Sequence, residues 1–497
     1  MTTGGNAIDA AIAADAVLGV CLPDTCGPGG DLFALVHRPG SARPAVLNAS
    51  GRAGSGTNAS ALRELGLTDV PPRSPWSVTM PGCVDGWEAL LDRFGRLDLD
   101  EVLAPAIALA EDGFPVSREL ATSLETLLPL IGDQPSAGPF SPDGVAPIPG
   151  SLMRRPALAR TLRDLQAGGR GSFFDGPVGR GIKAATDGTI TDADLSQRQA
   201  EWVEPAGVDL FGSRAWTVPP NSQGHLTLAG LWIFEHLDPP RDPADPAFQH
   251  ALIEAYRAVA WERGDTTADP GSAPMRPEEL LSPERLAPIA AAVDPERAGI
   301  WGRAPSAPGG TAYLATRDGD GTAVSFIQSN FSGIGSGRSA GATGVWLHNR
   351  GAGFNLVPGH PNEWMPGRRP MHTLAPTLWT RATDNTLVLG TRGGDQQPQL
   401  IMQVAADHLW SDLCPDDSQS FPRWVLDSFG PSDPPRLLVE DRFPVRTLAG
   451  LAERGHAVET VNGWQPDWGP VSMISIADDV RAAADPRIST SAALSGG

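Results

Sequence analysis

Gly309-Gly310-Thr311-Ala312-Tyr313-Leu314-Ala315, reached through Ala307-Pro308, is the stretch on which the reading of this 497-residue chain turns. The Pro- and Gly-rich approach reads as flexible, and the residues after Thr311 have a strand–turn–strand pattern. Leu314-Ala315-Thr316 is extended, Asp318-Gly319-Asp320-Gly321 is a turn, and Thr322-Ala323-Val324-Ser325-Phe326-Ile327 is extended again. Two readings of Thr311 are open. It is an ordinary residue at a strand start, or it becomes a new chain terminus when the Gly310–Thr311 bond is cut. In the second case its hydroxyl is activated by its own freed α-amine, the N-terminal-nucleophile arrangement.

The bulk numbers narrow the classes. Apolar residues make up 41% and charged residues 19% of the chain, enough for a sizeable core. The length allows several domains or one large layered α/β unit. A formal net charge of −20 argues against a nucleic-acid interface or an anionic membrane surface, yet a local basic pocket for an acidic substrate remains compatible with it. No run approaches the roughly 18 apolar residues of a bilayer span. The start Met1-Thr2-Thr3-Gly4-Gly5 has neither region of a signal peptide, so a cytoplasmic location is expected. Cys21, Cys26, Cys83 and Cys414 suit neither a disulfide framework nor a zinc site, and no metal or cofactor is expected.

Away from Thr311, Asn6 caps a small-residue apolar helix through Leu18. Cys26-Gly27-Pro28-Gly29-Gly30-Asp31 then turns into the apolar strand Leu32–Val36. This turn runs helix to strand and lacks a P-loop lysine, which argues against a phosphate cradle. Helices are predicted at 84–95, 99–112, 116–130 and 153–168, with Gly171–Gly176 as a connector into another near 177–186. A strand at 214–218 and a helix at 226–237 come next, and His225 at that helix start reads as structural. After a helix at 246–263, residues 265–310 read as a linker carrying the cleavage region, with short helices at 277–281 and 283–292. Beyond Thr311 come strands among Gly-rich turns, a helix near 399–410, strands at 436–440 and 471–476, and a helix near 447–454.

The order of motifs resembles the γ-glutamyltransferase (γ-glutamyltranspeptidase) family of N-terminal-nucleophile hydrolases. The matching stretches before Thr311 are Gly4–Ala11, Gly27–Asp31, Pro81-Gly82, Ala110–Val116, Phe173–Gly176 and Val218–Gly224. Those after it are Gly333–Gly337, Asn349–Phe354, Arg369–Pro376 and Leu389–Asp395. Each is weak alone, but their order over nearly the whole chain is specific. The resemblance implies an α+β fold, a four-layer αββα sandwich. It also implies a precursor that cuts itself between Gly310 and Thr311. Residues 1–310 then form a large subunit and 311–497 a small one, packed as one αββα unit, with association of two such heterodimers left open. Ser329 aligns with the hydroxyl that hydrogen-bonds the nucleophile, and Gly393 and Gly394 with the oxyanion-stabilising pair.

The departures concern the substrate. The family's carboxylate-gripping arginine falls at Ser50, with Arg52 nearby, and its amine-gripping aspartate falls at Gly353. The neighbouring glutamine falls at Arg350, the two serines at His372 and Thr373, and the asparagine at Phe331, with Asn330 one place off. A pocket without the aspartate has no evident partner for an ammonium. The pattern therefore looks more like the amidohydrolase and acylase branch. Its expected substrate is a small carboxylate-bearing amide such as oxamate, gripped by Arg350 or Arg52, with His372, Thr373 and Asn330 as further substrate contacts. A γ-glutamyltransferase or glutathione hydrolase is the alternative, and a truncated, non-catalytic member the third reading. Family members usually carry a further strand before the first helix, so either the start is misassigned or the sandwich edge is altered.

Overall fold

The computed structural model describes residues 4–142, 144–302, 309–427 and 436–495. Ala307 and Pro308, part of the expected cleavage approach, lie outside them. Two antiparallel sheets stack face to face. The first contains β1 (Asp31–His37), β2 (Ala45–Ala49), β3 (Glu201–Val203), β6 (Gly310–Arg317) and β7 (Ala323–Phe331), in the order β3-β2-β1-β7-β6. The second contains β4 (Ala206–Leu210), β5 (Ser213–Thr217), β8 (Thr377–Arg381), β9 (Asp384–Thr391), β10 (Val471–Ile476) and β11 (Val480–Ala484), in the order β11-β10-β9-β8-β5-β4.

The run Leu32-Phe33-Ala34-Leu35-Val36 shows why both faces of the first sheet are covered. Successive side chains on a strand point to opposite faces. Phe33 and Leu35 enter the layer between the sheets with Ile327, Leu378, Val388 and Trp216. Leu32, Ala34 and Val36 pack outward with Phe326 against helices α1 (Ala7–Cys21), α2 (Cys83–Phe94), α3 (Leu99–Asp112), α4 (Arg118–Ile131) and α5 (Pro156–Phe174). On the far side, Trp379, Leu387, Leu389 and Met473 pack against α6 (Gly224–His236), α7 (Pro246–Ala260) and α8 (Gln397–Leu409). The layers run helix, sheet, sheet, helix, the expected αββα sandwich. Strands buried on both faces lose polar alternation, hence the continuous apolar run.

Helix α1 begins with a capping box, Asn6 Oδ1 accepting from Asp9 N while Asp9 Oδ2 accepts from Asn6 N. Its C-terminal carbonyls at Gly19 and Val20 accept from the buried Arg155 guanidinium. The edge strand β6 is tied to this helix: Thr316 Oγ1 donates to Ala7 O and Ala7 N donates to Asp318 Oδ2.

Two sequence expectations are corrected. Gly171–Phe174 is the last part of α5 rather than a connector, and the chain bends earlier, at Gly169, where φ is +55°. Residues 265–302 are not a loose linker: helices Arg263–Thr266, Pro277–Leu280 and Pro283–Ala291 lie along the second layer with Leu280 and Leu286 fully buried. Strands β3, β4 and β11 and a smaller sheet of Trp424–Asp427, Arg436–Glu440 and Val458–Val461 include pieces that no local pattern announced.

Candidate active site

Strand β6 starts one residue before Thr311, and its pairing with β7 slips between Gly310 and Ala312. Such a bulge re-aims the residue it contains. Thr311 is 4% exposed. Its Oγ1 donates to Gly310 O at 2.7 Å and lies 3.4 Å from Ser329 Oγ. Ser329 Oγ also donates to Gly310 O, at 2.6 Å, and accepts from Phe331 N at 2.7 Å. Two hydroxyls therefore converge on the Gly310 carbonyl, that of the peptide bond expected from the sequence to be cut. Ser329 is an odd-numbered residue of β7, on the face that carries Ile327 into the inter-sheet layer.

The second sheet supplies the glycine pair. Strand β9 ends at Thr391, and Gly393 (φ +128°) and Gly394 (φ +56°) turn the chain into α8. Both backbone angles favour a residue without a Cβ. A Cβ on Gly309 would stand 3.0 Å from Gly394 Cα, so the segment leading to Thr311 lies directly on the glycine pair.

Arg350 opens a 3₁₀ turn, Arg350–Gly353, and is 1% exposed. Its guanidinium carbon lies 3.4 Å from the centroid of the Phe331 ring, and Nη1 donates to Thr373 Oγ1 at 3.0 Å. Phe331 holds φ at +74°, a strained value for a bulky residue and one found where function over-determines the backbone. Nε and Nη2 of Arg350 have no hydrogen-bond partner among the described residues. They form the side-on edge of the guanidinium, the fork that matches both oxygens of a carboxylate. That edge faces Gly353, where an added Cβ would lie 3.4 Å from Nη2 and 3.5 Å from Nε. Burial pushes the Arg350 pKa down to about 9, with Asp395 opposing and Arg263 reinforcing the shift. Arg350 is charged at neutral pH, and Asp395 is already engaged by Arg263 at 2.6 Å.

Thr311, Ser329, Gly310, Gly393, Gly394, Arg350 and Thr373 thus belong to one connected site, and three expected residues do not line it as foreseen. Asn330 has the opposite strand parity: its side chain turns to the helix face, with Nδ2 toward Pro23 O and Oδ1 beside Gly30. Arg52 pairs with Glu201 on β3, the edge opposite β6. Four inter-strand steps separate those edges, roughly 19 Å. His372 is fully buried with Nε2 on Asp31 Oδ2 at 3.1 Å, so it supports the site from beneath.

Residues remote in sequence complete that support. Asp31 pairs with Ser329 in the β1–β7 register and also meets His348 Nδ1 at 3.4 Å. The two histidines hold the Asp31 carboxyl well below its ordinary range against the opposing effect of burial, whereas burial drives His372 down to about 4. Gln223 Nε2 donates to Thr373 O at 2.7 Å and to Gly394 O at 3.0 Å. Asp31 and Gln223 both lie in the motifs that carried the family resemblance, but no spacing rule pointed to their partners.

An αββα sandwich with a threonine at the start of an edge strand, its hydroxyl on the preceding carbonyl and a glycine pair across from it, defines an amide-bond hydrolase of the N-terminal-nucleophile class. The family model described as Gamma-glutamyltranspeptidase matches residues 1–495, and the chain belongs to that family. It is 35% identical over 502 aligned residues to the oxamate amidohydrolase proenzyme of Klebsiella pneumoniae, covering 99% of this chain and 94% of that one. It is 34% identical to the glutathione hydrolase-like YwrD proenzyme of Bacillus subtilis, covering 97% and 93%. Among solved structures, the cephalosporin acylase from Bacillus halodurans superposes with a TM-score of 0.92 at 33% identity, covering 100% of this chain and 93% of that one.

Proposed function

We propose that this protein is a self-processing amidohydrolase that acts through Thr311 on a small amide carrying a carboxylate, oxamate being the simplest example. The observation that carries the substrate class is the buried Arg350 fork, two donors of a charged group with no hydrogen-bond partner among the described residues, on a guanidinium stacked over Phe331, whose N–H donates to Ser329. An unpaired buried guanidinium is costly, and a bound carboxylate removes that cost. The likeness to an oxamate amidohydrolase proenzyme supports the same reading.

Processing begins when Thr311 Oγ1 attacks the Gly310 carbonyl carbon. The C–N bond breaks as the hydroxyl proton passes to the Thr311 nitrogen, leaving an ester. Water then hydrolyses the ester, releasing the Gly310 carboxylate and a free α-amine on Thr311. Ser329 Oγ, already donating to Gly310 O, steadies the charge that develops on that oxygen. In turnover the α-amine takes the hydroxyl proton as Oγ1 attacks the substrate amide, while backbone N–H groups at Gly393 and Gly394 receive the oxyanion. The same proton leaves with the departing amine, and a water deprotonated by the α-amine frees the acid. Departure of the Gly309–Gly310 segment from Gly394 uncovers the position that the substrate carbonyl takes.

Purified protein should run as fragments 1–310 and 311–497, the second beginning Thr-Ala-Tyr-Leu-Ala, and release ammonia from oxamate. Thr311→Ala should stay whole and inactive. Uncut parent protein with full activity, or a new terminus elsewhere, would refute the proposal.

A further inference from the structure

We infer that Gln223 is a positioning residue for the amide chemistry: it locks the Gly393-Gly394 loop to the segment that holds Arg350. The inference rests on the assignment of Gly393 and Gly394 to the oxyanion.

Gln223 is fully buried just before α6, and its two Nε2 hydrogens are spent on two carbonyls from different parts of the chain, Thr373 O at 2.7 Å and Gly394 O at 3.0 Å. The amide orientation follows from those contacts, since the reversed amide would set Oε1 against two carbonyl oxygens. Its neighbours extend the attachment. Gln223 N donates to His372 O, His372 N to Asn221 O, Ser222 Oγ to Leu374 O, and Asn221 Nδ2 to Pro370 O. Residues 221–223 are stitched along 370–374.

The need for such a lock arises from maturation. Before the cut, Gly309 packs on Gly394 and restrains it. After the cut that contact is gone, and two adjacent glycines at positive φ have a wide conformational choice. Gly394 O keeps Gln397 N from its own turn, while Gln223 Nε2 ties the turn to another part of the fold. On processing, Gln223 belongs to the large subunit and both of its acceptors to the small one. Thr373, whose carbonyl Gln223 holds, receives Arg350 Nη1 through its hydroxyl. One side chain thereby sets the spacing between the carboxylate grip and the oxyanion donors, a distance to which acyl transfer is acutely sensitive.

The test compares Gln223→Leu and Gln223→Glu with the parent on oxamate or glutathione, whichever the parent hydrolyses faster. Parent inactivity on oxamate would count against the substrate reading alone, because the Gln223 comparison then runs on glutathione. Gln223→Leu should still split at Thr311 and should lose on the order of tenfold to a hundredfold in kcat with KM little changed. Gln223→Glu keeps the shape without N–H donors until its carboxyl is protonated, so its deficit should shrink as pH falls. Should the leucine variant fail to fold, the glutamate pH profile decides. A kcat for Gln223→Leu within about threefold of the parent, or a pH-independent deficit for Gln223→Glu, overturns the inference.

Discussion

Replacing Arg350 by methionine should sharply weaken catalysis without weakening the fold. In the unliganded site the guanidinium is fully buried, and burial drives its pKa from the ordinary arginine range down to about 9, so the folded environment disfavours the charge by roughly 5 kcal/mol. Stacking on Phe331 returns about 1–2 kcal/mol. The bond to Thr373 Oγ1 returns about 1.5–3 kcal/mol. The balance lies near zero or favours removal of the charge, and methionine fills most of the volume. With substrate bound, the Nε/Nη2 fork makes two charge-assisted bonds of about 1.5–3 kcal/mol each. Their loss lowers kcat/KM by roughly a hundredfold to ten-thousandfold at 1.4 kcal/mol per tenfold. Ammonia release from oxamate gives the kinetics and a thermal melt gives the stability. Oxalate, which keeps the carboxylate, should raise the melting temperature of the parent and not of the variant. A melting temperature several degrees lower, with kcat/KM within about threefold of the parent, would show that Arg350 is structural.

Ser329→Ala removes the second hydroxyl from Gly310 O and leaves Phe331 N without its acceptor. Self-cleavage should slow by about tenfold to a hundredfold, read as the rate at which the 497-residue chain disappears from a denaturing gel; an unchanged rate would remove Ser329 from the processing step. The contribution of three buried histidines to stability should be level above neutral pH and decline on acidification, against an opposing gain from Asp15, whose carboxyl burial raises to about 7. Burial holds His225 and His456 at about 3 and His372 at about 4 in the fold, with cationic neighbours adding to each shift. Unfolded histidine titrates near 6.5, so from there down to those folded values the unfolded chain binds more protons and gains on the native one. Each residue costs about 2 kcal/mol by pH 5. Melting temperatures of the parent and of His456→Gln measured from pH 8 to 5 check this: the variant should lose less on acidification, and parallel profiles for the two would contradict it.

The sequence alone made the class of this protein legible. The order of its glycine-rich motifs, the apolar run Leu32–Val36 and the Gly310–Thr311 junction point to the layered fold, the proposed nucleophile Thr311 and the pair Gly393-Gly394. Those features are local: a turn without a Cβ, or a strand buried on both faces, is written in consecutive residues. Which charged or polar group reaches the nucleophile is not local. Ser329 and Asn330 are neighbours in the chain, yet strand geometry sends one toward Thr311 and the other to the opposite face. Arg52 and Arg350 are equally plausible carboxylate partners in the sequence. Pairing with Glu201 takes Arg52 to the far edge, while Phe331 and Thr373 hold Arg350 in the site with its fork unspent among the described residues. Gln223 acquires its role only because two carbonyls, 150 and 171 residues away in the chain, arrive at one nitrogen. Those choices depend on long-range burial and on which buried donors find acceptors, quantities that exist only once the layers have packed.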